Sequence, residues 1–204
     1  MDMSYQLALI FAGLMYIVTP GPVFLRIVSL VSSQGRQAGF RFISGAIFGV
    51  MMWFTLTCAS LISADKLPKL LFAALTVACA TYLFFLATKL FRSTSPQKAK
   101  PIEKPFREGL FLSILNPKAY PVMTSVFSVV FISYPSLMNW SSFGIAFFFA
   151  LIGFLSGYIF MVLISSYRPI TTFYTRHIRW TTNIFGCIFC LFGLSLLFSL
   201  PHYF

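Results

Sequence analysis

Long uncharged apolar runs constrain the fold of this chain more than any other feature. A helix that crosses a membrane needs about 20 apolar residues. Uncharged runs of about that length or longer occur at Met3–Leu25, Phe42–Ala64, Leu70–Thr88, Ala119–Tyr167 and Trp180–Phe204. The fourth run is interrupted at 134–142, whose residues indicate a turn between two spans, and its first span is predicted to begin earlier, near Gly109. We therefore predict an all-α integral membrane protein with six transmembrane helices.

Composition agrees with this prediction. Only 9% of the 204 residues are charged, whereas soluble domains have about 25%. A soluble enzyme, a disulfide-rich secreted domain and a disordered chain are therefore excluded as main interpretations.

The basic residues are distributed unevenly between the two sides of the predicted membrane. The formal net charge is +11, from 15 Lys and Arg against 4 Asp and Glu. The first, third and fifth loops with their helix ends have twelve of these basic residues, whereas the opposite side has only Lys66 and Lys69. Because cytoplasmic loops are rich in Lys and Arg, we predict a multi-pass membrane protein with both termini outside the cytoplasm. Topology thus explains the charge: the lipid bilayer is a predicted partner and nucleic acid is not.

One hydrophilic segment divides the chain into two halves. Residues 93–105 contain prolines among lysines, a composition typical of a cytoplasmic linker. We predict a first three-helix repeat over 1–92, the linker over 93–105, and a second three-helix repeat over 106–204.

Two helix breaks lie at matched positions in these halves. Pro-Gly-Pro at 20–22 begins seven residues after Gly13, and Asn-Pro-Lys at 116–118 begins seven residues after Gly109. Proline removes a backbone donor and clashes with the preceding turn, and the freed groups are tolerated at membrane depth only inside protein or along a wet cavity. Three spans per half would invert the second half, so the pattern predicts inverted repeats with broken first and fourth helices, which mark a transporter's central site. A simple kink is the alternative.

Lys118 is predicted to lie deep in the membrane. It stands 11 residues after Arg107, or about 16 Å at helical rise, near the middle of a ~30 Å hydrocarbon layer. An intramembrane lysine indicates a functional site. The alternative is that its side chain snorkels to the membrane interface. For Arg26, near the cytoplasmic end of the first span, we favour snorkelling. The predicted substrate-binding and translocation residues are Thr19, Pro20, Gly21, Pro22, Asn116, Pro117 and Lys118.

Small residues recur at helical spacing in the second helix of each half. Gly45 and Gly49 form one such pair, and Gly153 and Gly157 form the other. Small residues four apart allow helices to approach closely. We predict helix packing within the monomer, with a homodimer as the weaker alternative.

The chain lacks the patterns of catalytic and metal sites. Its four cysteines lie in apolar runs, and the Cys187–Cys190 pair has no second pair or histidine cluster at zinc spacing. No nucleophile–base set, phosphate-binding loop or dinucleotide fingerprint occurs. We therefore predict no enzyme activity, no catalytic residue, no metal and no cofactor.

A series of short motifs extends along nearly the whole chain. They are Pro-Gly-Pro at 20–22, 35–39 with Gly45 and Gly49, Tyr82-Leu83 with Ala87, 89–92, Phe106 with Gly109, 115–119, Gly186, and Gly193-Leu194. In the order and spacing of these motifs, the chain resembles the LysE/RhtB superfamily of bacterial amino-acid exporters. The resemblance implies a six-helix inner-membrane secondary transporter that exports small amino acids or derivatives, driven by the proton or membrane potential. It also implies that both breaks line the translocation path.

One departure bears on the substrate. Many members of that superfamily have an acidic residue directly after the second glycine of the second helix, where this chain has Val50. No Asp or Glu lies inside any predicted span, so a cationic substrate lacks a counter-charge. The chain is more similar to members that handle neutral amino acids such as threonine, homoserine or cysteine. We expect a zwitterion with its carboxylate near Lys118 and its ammonium on the freed carbonyls of residues 19–21.

Three alternatives remain open at this point. A membrane thiol–disulfide relay would need cysteines on the broken first and fourth helices, and those helices have none. A metal-ion exporter would need converging carboxylates, histidines or thiolates, and the two histidines lie in a loop and at the terminus. A non-transport membrane scaffold is the third.

Overall fold

The computed structural model describes residues 3–19, 21–63, 69–92, 103–116, 118–167, 169, 172 and 176–198. These residues form seven α-helices and one 3-10 turn, and the described part of the chain contains no strand. The helices are α1 (Met3–Val18), α2 (Pro22–Ile62), α3 (Lys69–Phe91), α4 (Pro105–Ile114), α5 (Ala119–Ser133), α6 (Phe143–Ser165) and α7 (Ile178–Phe198), with the 3-10 turn at Pro135–Leu137. Of the predicted linker, residues 93–102 lie outside the described residues.

Helix α2 is bent at Gly35. This glycine has φ 81° and ψ 178°, and among the described residues it alone has φ in the left-handed region that favours glycine. A straight helix of 41 residues would be about 60 Å long, roughly twice the hydrocarbon thickness. The bend therefore divides α2 into a part over 22–34 and a part over 36–62. We had predicted a loop between Leu25 and Phe42, and this was wrong, because charged residues can remain helical where the chain leaves the apolar layer.

The outer surface of the helices is apolar. Large hydrophobic side chains such as Ile132, at 74% exposed, and Phe198, at 76%, face outward. Within the described residues, Pro22–Ile62 and Phe143–Ser165 are long and apolar enough to cross a membrane, and shorter apolar helices occur at Met3–Val18, Ala80–Phe91, Ala119–Ser133 and Thr182–Phe198. The all-helical architecture with apolar outer surfaces is that of a membrane protein.

The helices pair across the two halves of the chain. Helix α1 packs mainly on α6, α4 on α2, and α3 on α7. Three buried phenylalanines connect α2, α5 and α6 at the centre. The ring of Phe54 lies edge-on to Phe127 at 4.8 Å and to Phe154 at 5.8 Å between centroids. Edge-to-face aromatic pairs add to the stability gained from burial alone.

Glycine allows α1 and α6 to touch through their backbones. A Cβ on Gly13 would lie 2.9 Å from the carbonyl oxygen of Ala150 and 3.1 Å from Cα of Gly153. A Cβ on Gly153 would overlap the carbonyl oxygen of Ile10. The absence of side chains at both glycines is therefore what permits this approach.

Helices α4 and α2 make the same contact. A Cβ on Gly109 would overlap the carbonyl oxygen of Phe42, and a Cβ on Gly45 would overlap the carbonyl oxygen of Phe106. Phe106 precedes Gly109 by three residues, as Ile10 precedes Gly13. The two interfaces thus use glycines at equivalent positions.

The equivalence continues one helical turn further. A Cβ on Gly157 would lie 2.8 Å from Cβ of Ile17, and one on Gly49 would lie 2.7 Å from Cβ of Ser113. Ile17 and Ser113 each stand four residues after the glycine of their own helix, Gly13 and Gly109 respectively. The α4–α2 contact therefore repeats the α1–α6 contact position by position. Gly45, Gly49, Gly153 and Gly157 all make close helix contacts within one chain.

Candidate functional site

Both predicted breaks interrupt helices in the structure. Helix α1 ends at Val18 and α2 begins at Pro22, while α4 ends at Ile114 and α5 begins at Ala119. Of the seven predicted site residues, Pro20 and Pro117 lie outside the described residues. The other five, Thr19, Gly21, Pro22, Asn116 and Lys118, are described and lie at these two breaks.

Lys118 connects the two breaks. Its side chain is 3% exposed, and its Nζ donates a hydrogen bond to the backbone carbonyl of Thr19. That carbonyl lies between α1 and α2, outside either helix. The ammonium is thus held inside the protein, and residues 99 apart in sequence meet at one point.

Tyr16 and Gly21 complete the surroundings of this lysine. Nζ of Lys118 lies 5.3 Å from the ring centroid of Tyr16, within the range of a cation–π interaction. A Cβ on Gly21 would lie 2.6 Å from Cδ and 2.7 Å from Cε of Lys118. Gly21 therefore leaves the space through which the lysine side chain passes.

Two side chains bind the backbone groups that the second break releases. In an unbroken helix the carbonyl of Ile114 would accept the N–H of Lys118. Here the N–H of Lys118 points at Oδ1 of Asn116, at 3.4 Å, and the carbonyl of Ile114 accepts the indole N–H of Trp53 at 3.0 Å. Trp53 and Asn116 thereby hold the break that places Lys118. We did not predict Trp53, because nothing in an aromatic-rich apolar run distinguishes it.

A small cavity adjoins the lysine. It has about 10 Å³ open to the centre of a water-sized sphere, close to the space that one water molecule needs. The lining residues come from α1, α2, α6 and the second break: Tyr16, Ile17, Val23, Phe24, Ile27, Asn116, Lys118 and Tyr158. Lys118 is the single basic residue among the residues of this lining. Tyr16 and Tyr158 were not predicted either, and the only signal for Tyr158 is that it follows Gly157.

One ion pair connects α2 and α4. Nε of Arg26, on α2, lies 2.6 Å from Oε1 of Glu108, on α4, and their side chains are 22% and 32% exposed. Arg26 stands between Val23 and Ile27, which line the cavity. We had expected Arg26 to snorkel, and we did not predict its pairing with Glu108.

The described cysteines lie away from the lining. Cys58 is buried on α2, and Cys187 and Cys190 lie on α7; all three are free thiols. In the part of the chain that the structure describes, no group of three His, Cys, Asp or Glu residues could hold a metal ion. The chemistry of this site is therefore that of one ammonium group, backbone carbonyls, one amide and two phenols.

Comparison with known proteins gives a consistent result. The sequence profile of the family described as LysE type translocator matches residues 14–200. The chain is 22% identical to the threonine efflux protein of Escherichia coli, over 90% of this chain and 92% of the relative. It is 24% identical to an uncharacterized membrane protein of Haemophilus influenzae, over 95% and 96% respectively.

A third relative matches over a shorter region. The chain is 28% identical to an uncharacterized membrane protein of Pseudomonas aeruginosa, and that match spans 61% of each chain. No solved structure matches the chain.

Proposed function

The chain belongs to the LysE type translocator family, and we propose that it exports a small neutral amino acid or a close derivative, of the threonine, homoserine or cysteine type. The observation that carries the proposal is the hydrogen bond from Lys118 to the Thr19 carbonyl, which connects two interrupted helices beside a cavity. The threonine efflux proteins among the relatives support the choice of substrate.

A zwitterion fits the groups at this site. In the structure, the Nζ of Lys118 donates to the carbonyl of Thr19, so these two groups satisfy each other. An amino acid can replace that bond with two, because its carboxylate can accept from Lys118 while its ammonium donates to Thr19. Buried charges are costly unless paired, so a substrate with both charges loses less on entering than one with a single charge.

The lining also disfavours cationic substrates. It contains one lysine and no carboxylate, so a side-chain ammonium or guanidinium would have no counter-charge. A neutral amino acid is therefore the better candidate than lysine or arginine.

We further propose that the two halves are inverted repeats within six membrane spans. The repetition of the α1–α6 contact by α4 and α2 supports this arrangement. In our assignment the first span is α1 together with residues 22–34, and the second is residues 36–62 of α2. The third span is α3, the fourth is α4 together with α5, the fifth is α6 and the sixth is α7. Both termini would then be periplasmic in an inner membrane, as the positive-inside rule requires.

Transport in this scheme requires the cavity to open. A space for one water molecule is too small for an amino acid, so the repeats must move relative to each other and expose the site to one side at a time. The proton gradient or the membrane potential would drive this cycle.

Counterflow in vesicles tests the proposal. Purified protein is reconstituted, the vesicles are loaded with one unlabelled amino acid at a time, and entry of the same radiolabelled amino acid is followed for threonine, homoserine, cysteine and lysine. We expect exchange of at least one neutral amino acid and none of lysine. The absence of exchange for every amino acid would refute the exporter and favour a scaffold.

A lysine pair tests the assigned site. Lys118→Ala should abolish exchange, because it removes the ammonium that receives the carboxylate. Lys89→Ala is the matched control, since Lys89 lies exposed in the last turn of α3 and should leave exchange unchanged. Normal exchange by correctly folded Lys118→Ala would remove the lysine from the mechanism and leave the exporter standing.

A further inference from the structure

The ion pair between Arg26 and Glu108 has no role in the site described so far. It joins the part of α2 that follows the first break to the part of α4 that precedes the second break. Both parts lie on the side that the basic loops assign to the cytoplasm. Arg26 stands between Val23 and Ile27 on α2, and both of these residues line the cavity, so the pair lies within one helical turn of the cavity lining along α2.

The equivalent positions on the opposite side of the molecule are apolar. Glu108 directly precedes Gly109, and its equivalent before Gly13 is Ala12. Arg26 stands four residues after Pro22, and Val122 stands four residues after Lys118. Ala12 and Val122 are both buried and apolar. Of these two sets of equivalent positions, both within the described residues, the charged pair occupies the set on the side from which an exporter takes up its substrate.

We propose that Arg26 and Glu108 form a loading subsite for zwitterionic amino acids, an inference that rests on the proposed export function. The substrate carboxylate takes the place of Glu108 on the guanidinium, and the substrate ammonium takes the place of Arg26 on the carboxylate. Both side chains are partly exposed, at 22% and 32%, so substrate can reach them from solution. A partly exposed pair is also weak enough to separate.

The chemistry of the pair selects for two charges of opposite sign. A zwitterion that enters between the partners gives each of them a group of opposite charge. An amine without a carboxylate would offer the guanidinium of Arg26 no such group, and a carboxylate without an amine would offer the carboxylate of Glu108 none. The subsite thus selects zwitterions, the same class of molecule that Lys118 and the Thr19 carbonyl are proposed to bind at the cavity.

Sided kinetics test this subsite. Uptake of the amino acid that shows the fastest counterflow is measured from the cytoplasmic face in inside-out membrane vesicles, and from the opposite face in right-side-out vesicles. For both Arg26→Gln and Glu108→Gln, we expect KM to rise up to about fivefold at the cytoplasmic face, the factor that corresponds to one exposed charge pair. KM at the opposite face should not change, and neither should the maximal rate.

Two further variants make the result decisive. Arg41→Gln is the matched control, because it removes an exposed arginine of the same helix and should leave KM unchanged at both faces. The exchange variant Arg26→Glu with Glu108→Arg restores a pair of opposite charges and should bring KM back toward the parent value. It also provides a folded test protein if either single variant unfolds.

Several results would overturn the proposal. A KM that stays unchanged or falls at the cytoplasmic face would assign the pair to a structural tether, and an equal rise at both faces would assign it to general stability. In either case the parent protein still exchanges amino acids, so the export function survives. Failure of the parent to exchange any amino acid refutes the export function itself.

Discussion

Replacing Gly45 with alanine should destabilise the protein, whereas the same change at Gly144 should stabilise it. A Cβ at Gly45 would lie 2.8 Å from the carbonyl carbon and closer still to the carbonyl oxygen of Phe106, with the backbone nitrogen of Leu110 at 3.0 Å. All three are backbone atoms of α4, so α4 and α2 must separate to make room. At Gly144 nothing lies within 4 Å of such an atom.

The two magnitudes follow from these surroundings. Overpacking a well-packed interface costs about 1–3 kcal/mol, which outweighs the roughly 0.5–1 kcal/mol that alanine gains over glycine within a helix. Gly45→Ala should therefore lose up to about 2.5 kcal/mol net, while Gly144→Ala keeps only the helical gain. Gly153→Ala should behave like Gly45→Ala, because its Cβ meets the backbone of Ile10 in the same way.

Thermal unfolding of the purified protein in detergent measures the difference. Each kcal/mol should shift Tm by about 2–4 °C in a chain of this size. We expect Tm to fall for the Gly45 and Gly153 variants and to rise slightly for the Gly144 variant. Equal shifts at all three positions would refute the argument that backbone contact between helices determines the effect.

Three further predictions concern the breaks and the bend. Gly21→Ala should push Lys118 away from the Thr19 carbonyl, since its Cβ would lie 2.6 Å from Cδ of the lysine, and should reduce counterflow with little change in Tm. Trp53→Phe leaves the Ile114 carbonyl without its donor and should cost about 1–3 kcal/mol in the same unfolding assay. Gly35→Ala forces alanine into φ 81° and ψ 178°, where the cost is about 1–3 kcal/mol. An unchanged Tm would contradict the prediction for the Trp53 variant or for the Gly35 variant. Full counterflow would contradict the prediction for the Gly21 variant.

Local chemistry explains why the breaks could be predicted from sequence. Proline lacks a backbone donor wherever it stands, so the interruptions near residues 20 and 117 are visible without knowledge of the fold. Glycines four residues apart are equally visible. The all-helical class follows from the apolar runs, since only helices and closed barrels satisfy the backbone in lipid.

Contacts between distant residues could not be predicted in this way. The Arg26–Glu108 pair joins residues 82 apart, and the indole of Trp53 reaches a carbonyl 61 residues away. Each residue has several equivalent candidates in the sequence, and only the packing of α4 on α2 chooses among them. Helix α2 beyond Leu25 was missed for a different reason. A rule based on uncharged runs ends each helix at the edge of the apolar layer, whereas backbone hydrogen bonding can continue the helix past that edge.

The small size of the cavity has an electrical consequence. Protons cross membranes along chains of hydrogen-bonded water, and a space for one water molecule is far too short to bridge a ~30 Å hydrocarbon layer. The buried side chain of Lys118 also occupies one side of that space. This cavity by itself therefore gives protons no continuous path of water across the layer.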